Sequence, residues 1–371
     1  MSTAKADPPF RAEHVGSLLR PQRLKEANRD LRLDQIDQAA FDAVLDECVT
    51  EAVRLQERTG MKALTAGEYH RTSWFGFFFE ALDGFELRDA IFQFHDGHGH
   101  DFTWQTCHAV ARMRRTHGIC THEYEHVAAK TDRIAKVTMP TPSAVHFFRA
   151  SDPAEASVYP DMDKFWDDLV AIYRAELMAL VELGCRYVQF DEVPLAMLCD
   201  PSIRQRIADA GLDPAHLTAQ YVAAINRVVA DRPDDMTVAM HLCRGNFRSR
   251  WMAQGGYEPV AEALFNDVDV DAFFLEYDSE RAGDFAPLRH LPESKRAVLG
   301  LISTKSPELE PVDEVRRRID EAAKLVPLER LALSPQCGFA SVAGGNAIDA
   351  EMQEAKLRLV VEVADKVWGS A

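Results

Sequence analysis

Short β-branched runs alternate along this chain with stretches whose apolar residues recur at helical spacing. Residues 12–15 read as a first short strand running into Gly16-Ser17. A helix over about 34–58 follows, with Ala40, Val44, Cys48 and Leu55 on one face and Gly60 closing it. Residues 62–68 form a second strand ending at Gly67-Glu68. Further on, residues 134–139 make a strand stopped by Pro140 and Pro142, and 161–183 an amphipathic helix closed by Gly184. A strand over 185–190 delivers Asp191-Glu192. Helices over about 201–210 and 213–230 lead to a strand from Thr237, a helical stretch spans 259–265, and strands follow from Asp271 and Arg296. A helix over 311–325 has Pro311 at its first turn. A strand from Leu331 and a helix over about 349–368 complete the pattern.

Strands alternating with helices imply a parallel sheet joined by right-handed crossovers. Eight strands start near residues 12, 62, 134, 185, 237, 271, 296 and 330. Eight strands close a (β/α)8 TIM barrel, so the expected fold is α/β, with one barrel over 11–371 behind a loose tail at 1–10. Residues 69 to about 130 break the repeat. They carry the aromatic run Trp74-Phe-Gly-Phe-Phe-Phe79 and hairpin strands expected near 90–94 and 119–127. This stretch reads as a subdomain inserted over the C-terminal face. Its Asp96-Gly-His98-Gly-His100-Asp101 segment is a polar turn, or else a second metal site or substrate lid.

Composition narrows the partners. The chain has 371 residues, 47% of them hydrophobic, enough for a large core. A formal charge of -17 argues against nucleic acid and anionic membrane surfaces as main partners. No stretch is long and apolar enough to span a bilayer. Seven widely spread cysteines suit reduced thiols in the cytoplasm better than a disulfide framework.

The candidate chemistry gathers at strand ends, where a barrel places it. Thr237-Val-Ala-Met-His241-Leu-Cys243 ends in His-x-Cys, and residues i and i+2 of a strand point the same way. Glu276 and Cys337 close two later apolar runs. If those strands are parallel neighbours, His241, Cys243, Glu276 and Cys337 converge as N, S, O and S ligands, a set suited to Zn2+. Each alone has an ordinary alternative, such as a buried Cys packing as a small hydrophobe. Widely separated ligands at a barrel mouth favour a catalytic zinc over a structural one. A thiol entering such a site becomes more acidic, and its thiolate can attack an alkyl carbon. Glu68 and Asp191 can take an ammonium, and the Gly16-Ser17 backbone and hydroxyl a carboxylate. Alternatively, Asp191 caps the next helix and Glu68 pairs with Arg71 on the surface.

His14-Val15-Gly16-Ser17, Gly67-Glu68, Gln189-Phe-Asp191-Glu192, His241-Leu-Cys243, Glu276 and Pro335-Gln-Cys337-Gly338 together resemble, in order, the catalytic barrel of cobalamin-independent methionine synthase. The likeness covers roughly residues 12 to 341 and is nearest to the shorter, single-barrel members. It implies zinc held by His241, Cys243, Glu276 and Cys337, and homocysteine held by Val15, Gly16, Ser17, Glu68 and Asp191. The implied reaction is methyl transfer to the thiol, giving methionine. Three departures concern the methyl donor. There is no room for the family's second, N-terminal barrel. The loop from Thr138 to His146 lacks the tryptophan that stacks on the pterin. Lys305, in Ser303-Thr-Lys-Ser-Pro307, stands where the family has a histidine thought to transfer protons. Asp191 and Lys305 are therefore the candidate catalytic groups. The donor is methyltetrahydrofolate or a methyl-corrinoid protein. Two other readings are a zinc alkyltransferase of the epoxide:coenzyme M type, and a barrel that binds zinc or thiols without catalysis. Trp74 and Phe77 to Phe79 can offer stacking surface, a hydrophobic lid or a core patch.

Overall fold

The structure, a computed structural model, describes residues 8–95 and 101–371. Six parallel strands form one sheet in sequential order: Val137–Pro140, Tyr187–Glu192, Thr237–Leu242, Ala272–Glu276, Arg296–Ile302 and Leu331–Pro335. Immediately before the first of these, Ile134–Ala135 pairs in parallel with Ala63–Leu64. The N-terminal segment completes the ring. Ala12 bridges Leu333 in parallel, and Leu18 N donates to the Gly67 carbonyl (3.0 Å). The chain is thus an α/β barrel with all eight expected strand positions in circular order. The first is a single bridge rather than a strand, because the carbonyls of residues 14–16 are taken by side chains instead, as in Thr65 Oγ1 to the Gly16 carbonyl (2.6 Å).

Strand parity decides what faces the axis. Val15, Ala63, Tyr187, Ala239, Ala272, Phe274, Val298 and Ala332 pack there as one buried cluster, in which small alanines make room for Tyr187 and Phe274. Continuing the same parity toward the C-terminal ends brings Asp191, His241, Cys243 and Glu276 inward above that layer. Apart from the first residues of some strands, the sheet is buried, as both faces of a barrel sheet are covered.

The helices behave as their sequences direct. Asp37 accepts from Ala40 N and starts Gln38–Thr59, and Gly60, with φ +95°, ends it. Asp161, Asp213 and Asp349 cap Met162–Glu182, Pro214–Val229 and Ala350–Trp368 in the same way. One helix, Gln22–Arg32, was not expected, because only Leu24 and Ala27 of it are buried and its apolar stripe is thin. The expected helix at 259–265 is a π-helical turn, Ala263–Asp267. Pro8 and Pro9, placed in the loose tail by sequence, are buried at the strand starts, where Thr237 Oγ1 and Arg296 Nη1 donate to their carbonyls.

The insertion differs most from expectation. Its hairpin pairs Leu82–Asp89 with Gln105–Arg115, and the expected strand near 119–127 is instead the helix Thr121–Ala128. That helix packs against Gln38–Thr59 and Met162–Glu182, as a crossover helix before the strand at 134 would. Its core positions are Glu123 and Val127, and a charged residue in a buried slot hid the helical stripe. The insertion meets the C-terminal face through Trp74 N, which donates to the Ser341 carbonyl (2.8 Å). The Asp96 to Asp101 polar turn lies outside the described residues, save that Asp101–Phe102 is a short strand paired with Phe94–His95.

Candidate active site

A cavity at the C-terminal ends of the strands is lined by Val15, Ser17, Glu68, Trp74, Asp191, His241, Cys243, Asn246 and Cys337, among others. His241 and Cys243 share the inward face at the end of one strand, and Cys337 follows the end of another. Their ligating atoms all lie within 4.8 Å of one another, and all three residues are buried. The two sulfurs are 3.5 Å apart, a contact between thiols and far beyond a disulfide bond. The pair shares its protons unequally. Hydrogen bonding from Cys243 and the nearby His241 hold Cys337 well below the usual thiol range, while the same sulfur contact pushes Cys243 well above it. Neither ring nitrogen of His241 has a hydrogen-bond partner among the described residues, although both are buried. An imidazole with orphaned nitrogens beside two thiols is the donor set a zinc ion takes up.

Glu276 stands at the inward end of its strand, as its spacing predicts, but its carboxylate is already engaged by cationic neighbours. It sits on the strand beside that of His241, with Leu275 opposite Leu242. Its Oε1 accepts from Arg281 Nη2 (2.8 Å) and Lys305 Nζ (3.1 Å), and its Oε2 from Arg244 N (2.8 Å). Burial alone would raise this carboxyl, but Lys305, Arg244 and Arg281 outweigh it and hold Glu276 below the usual carboxylate range. Lys305 in turn loses by burial and gains more from Glu276 and Asp278, so it stays an ammonium. The structure thus brings three of the four predicted ligands together and places the fourth in a cationic clamp.

The substrate-side residues form the opposite wall. Glu68 is a non-glycine residue in the left-handed region (φ +59°), a conformation that costs free energy and points its carboxylate inward. Its Oε1 accepts from Thr138 Oγ1 (3.1 Å), and its Oε2 is buried without a partner among the described residues. Burial raises its pKa against the pull of Arg71 and Arg20. Asp191 is pushed up to about 7 by burial, with His241 lowering and Glu68 raising it. Ser17 Oγ accepts from Ala340 N (3.2 Å), and Gly338 passes so close that a Cβ there would lie 1.9 Å from that oxygen. Two alternatives are excluded. Arg71 pairs with buried Glu123 through two hydrogen bonds (2.9 and 2.7 Å), leaving Glu68 to the cavity. The helix at Pro194–Met197 is served by Glu192, which accepts from Leu195 N (2.7 Å), leaving Asp191 free of capping.

The aromatic run divides. Trp74 lines the cavity, whereas Phe78 stacks on Tyr173 (4.4 Å) and Phe77 lies under the Arg71 guanidinium (4.0 Å). His146, at the end of the loop without tryptophan, is buried against Tyr221, away from the cavity lining. Asn246 also lines the cavity, and nothing in the sequence marks it beyond its place in the loop that follows Cys243. Its Nδ2 donates to the Gly338 carbonyl (3.2 Å) and its Oδ1 is unpartnered among the described residues.

A family model described as "Cobalamin-independent synthase, Catalytic domain" matches residues 10–366. The uncharacterized protein YxjH of Bacillus subtilis is 37% identical over 364 residues, covering 97% of this chain and 95% of that protein. A methionine synthase of Pyrococcus abyssi is 26% identical over 326 residues, 88% of this chain and 85% of its own. Among solved structures, a putative vitamin-B12 independent methionine synthase from Listeria monocytogenes superposes with a TM-score of 0.77 at 32% identity, covering 98% of this chain and 99% of that one.

Proposed function

Because the chain belongs to the family of cobalamin-independent synthase catalytic domains, we propose that it is a zinc-dependent methyltransferase that methylates a thiol, homocysteine first, to give methionine. The observation that carries this reading is the buried cluster of His241, Cys243 and Cys337, with both ring nitrogens of His241 unpartnered among the described residues. These three residues would hold the zinc, with Glu276 the fourth protein ligand within reach of the same strand ends. Zinc bound there would make an incoming thiol more acidic and so a better nucleophile at neutral pH.

The remaining work falls to the chain itself. Glu68 and Asp191 each keep an oxygen turned to the cavity, suited to an ammonium group, while the Val15-Gly16-Ser17 segment supplies backbone N–H and hydroxyl to the carboxylate. Trp74 and Val342 add apolar surface to the cavity wall. In the transfer the thiol releases its proton to solvent, sulfur bonds to the methyl carbon, and the methyl–donor bond breaks with its electrons left on the donor; a folate nitrogen then takes up one proton, whereas a corrin cobalt keeps the electron pair. The ammonium of Lys305, on the Glu276 side, is the candidate proton source. The donor is methyltetrahydrofolate or a methyl-corrinoid protein.

The test is methionine formation from homocysteine and methyltetrahydropteroyl-triglutamate by zinc-loaded protein, read by mass spectrometry. Cys337→Ala is expected to lower both zinc affinity and turnover by about a hundredfold or more. Full activity in that variant would sink the assignment. No methionine from zinc-replete parent protein would exclude this folate donor and turn the search to corrinoid donors.

A further inference from the structure

Below the cavity, a chain of buried polar side chains climbs the barrel axis to Asp191. At its lower end Glu13 accepts from Phe10 N (3.0 Å) and Tyr187 OH (3.1 Å). Lys136 Nζ stands above it with three acceptors: Glu13 Oε2 (3.3 Å), Gln189 Oε1 (3.2 Å) and the His14 carbonyl. Three acceptors around one nitrogen match the three N–H bonds of an ammonium. The Phe274 ring, 4.8 Å away, adds a favourable face for that charge.

The ammonium dictates which way the Gln189 amide points. With Oε1 on Lys136, Nε2 faces upward and spends both its N–H bonds, one on the Val15 carbonyl (2.8 Å) and one on Asp191 Oδ1 (2.6 Å). The flipped amide would press its NH2 group on the ammonium and its oxygen on two acceptors, so only one orientation satisfies every partner. Asp191 Oδ1 is thereby filled, and among the described residues no donor reaches Oδ2. Glu68 is arranged alike, with Oε1 filled by Thr138 Oγ1 and Oε2 open. The cavity wall therefore presents two carboxylates, each with one oxygen anchored from behind.

We propose that Lys136 and Gln189 are positioning residues that hold the open oxygen of Asp191 toward the amino group of the thiol substrate, making the pocket selective for amino thiols over thiols that lack the amine. The inference rests on the reading of the cavity as a thiol-substrate site. Neither residue touches the ligand. Gln189 acts through Asp191, and Lys136 acts through the orientation of Gln189.

The experiment is calorimetric binding of L-homocysteine and of 4-sulfanylbutanoate, the same thiol acid without its amine, to zinc-loaded protein. In Gln189→Met, homocysteine affinity is expected to fall at least about tenfold, the worth of a charge-assisted hydrogen bond, while 4-sulfanylbutanoate changes less than about twofold. Lys136→Gln removes the charge that orients the amide and is expected to lose the same discrimination. Equal losses for both thiols, or an unchanged ratio between them, would overturn the proposal. If Lys136→Gln does not fold, Gln189→Met decides alone, since it leaves the Glu13–Lys136 pair intact. If the parent protein binds neither thiol, the thiol-substrate reading fails and the positioning is tested separately by the carboxyl 13C resonance of Asp191, assigned with Asp191→Asn. That resonance moves in Gln189→Met if Gln189 sets Asp191, and an unmoved resonance refutes it.

Discussion

Gly338 and Glu276 show how far single residues can be read from their letters. The glycine after Cys337 stands out in sequence only as part of a motif. The structure supplies its reason, since a Cβ would meet Ser17 Oγ at 1.9 Å and Ser17 N at 3.3 Å. Gly338→Ala is expected to push the Ser17 hydroxyl off its Ala340 contact and weaken homocysteine binding about tenfold, with zinc content unchanged. Calorimetry beside metal analysis checks this, and unaltered binding would show that the loop yields. Glu276 is the opposite case. Spacing along the strand put it among the ligands, and its place on the inward face is as expected. Spacing could not reveal Arg281, Lys305 and Arg244 N, which reach it from three separate loops. If Glu276 joins the zinc, Lys305 competes for it, so Lys305→Met is expected to tighten zinc binding in a chelator competition. Weaker binding would make Lys305 a support of the site and not a competitor.

Among the elements, the later strands of the barrel were legible as short apolar runs, and the long helices Gln38–Thr59, Met162–Glu182, Pro214–Val229 and Ala350–Trp368 as apolar stripes behind Asp caps. The insertion was not, because its boundaries are set by buried charged groups remote from it in sequence. Glu176 is the clearest. It lies buried on the helix Met162–Glu182 and accepts from Ile119 N (3.0 Å), Cys120 N (2.6 Å) and Arg115 Nε (2.7 Å). One carboxylate thus fixes the end of the hairpin and the start of Thr121–Ala128, two boundaries that periodicity alone misplaced. Glu176→Gln keeps the shape but removes the charge that three donors converge on. It is expected to cost about 2–3 kcal/mol, seen as a lower urea midpoint, with amide exchange rising first around residues 105–120. Faster exchange spread evenly over the barrel would contradict that local role.

For the whole molecule, the circular order of strands followed from counting, while the polar content of the barrel did not. Lys136, Glu13 and His14 occupy interior positions that a hydrophobic pattern assigns to aliphatic residues; Lys136 and Glu13 pair with each other (3.3 Å), and the His14 ring meets the Ala63 carbonyl (3.1 Å). Buried imidazoles give this arrangement a measurable consequence. Burial lowers His14 and His146 from an ordinary value of 6.5 to about 3, with Lys136 adding to the effect at His14. Both rings therefore stay neutral in the folded protein at pH values where the unfolded chain has already taken up the protons. Stability rises with pH wherever the unfolded state binds more protons, so this contribution is whole above about pH 6.5 and is lost progressively as pH falls toward 3. At pH 4.5 each ring has forfeited about two pH units, or about 3 kcal/mol. Glu13, raised by burial, works in the opposite sense, so total acid stability does not isolate the imidazoles. His146→Asn does, because Asn can keep the contact that Nδ1 makes with Tyr221 OH (2.9 Å) without titrating. Its stability relative to the parent is expected to improve by about 3 kcal/mol between pH 7 and pH 4.5. Parallel denaturant midpoints for the two proteins across that range would mean that His146 is protonated in the folded state, against its burial.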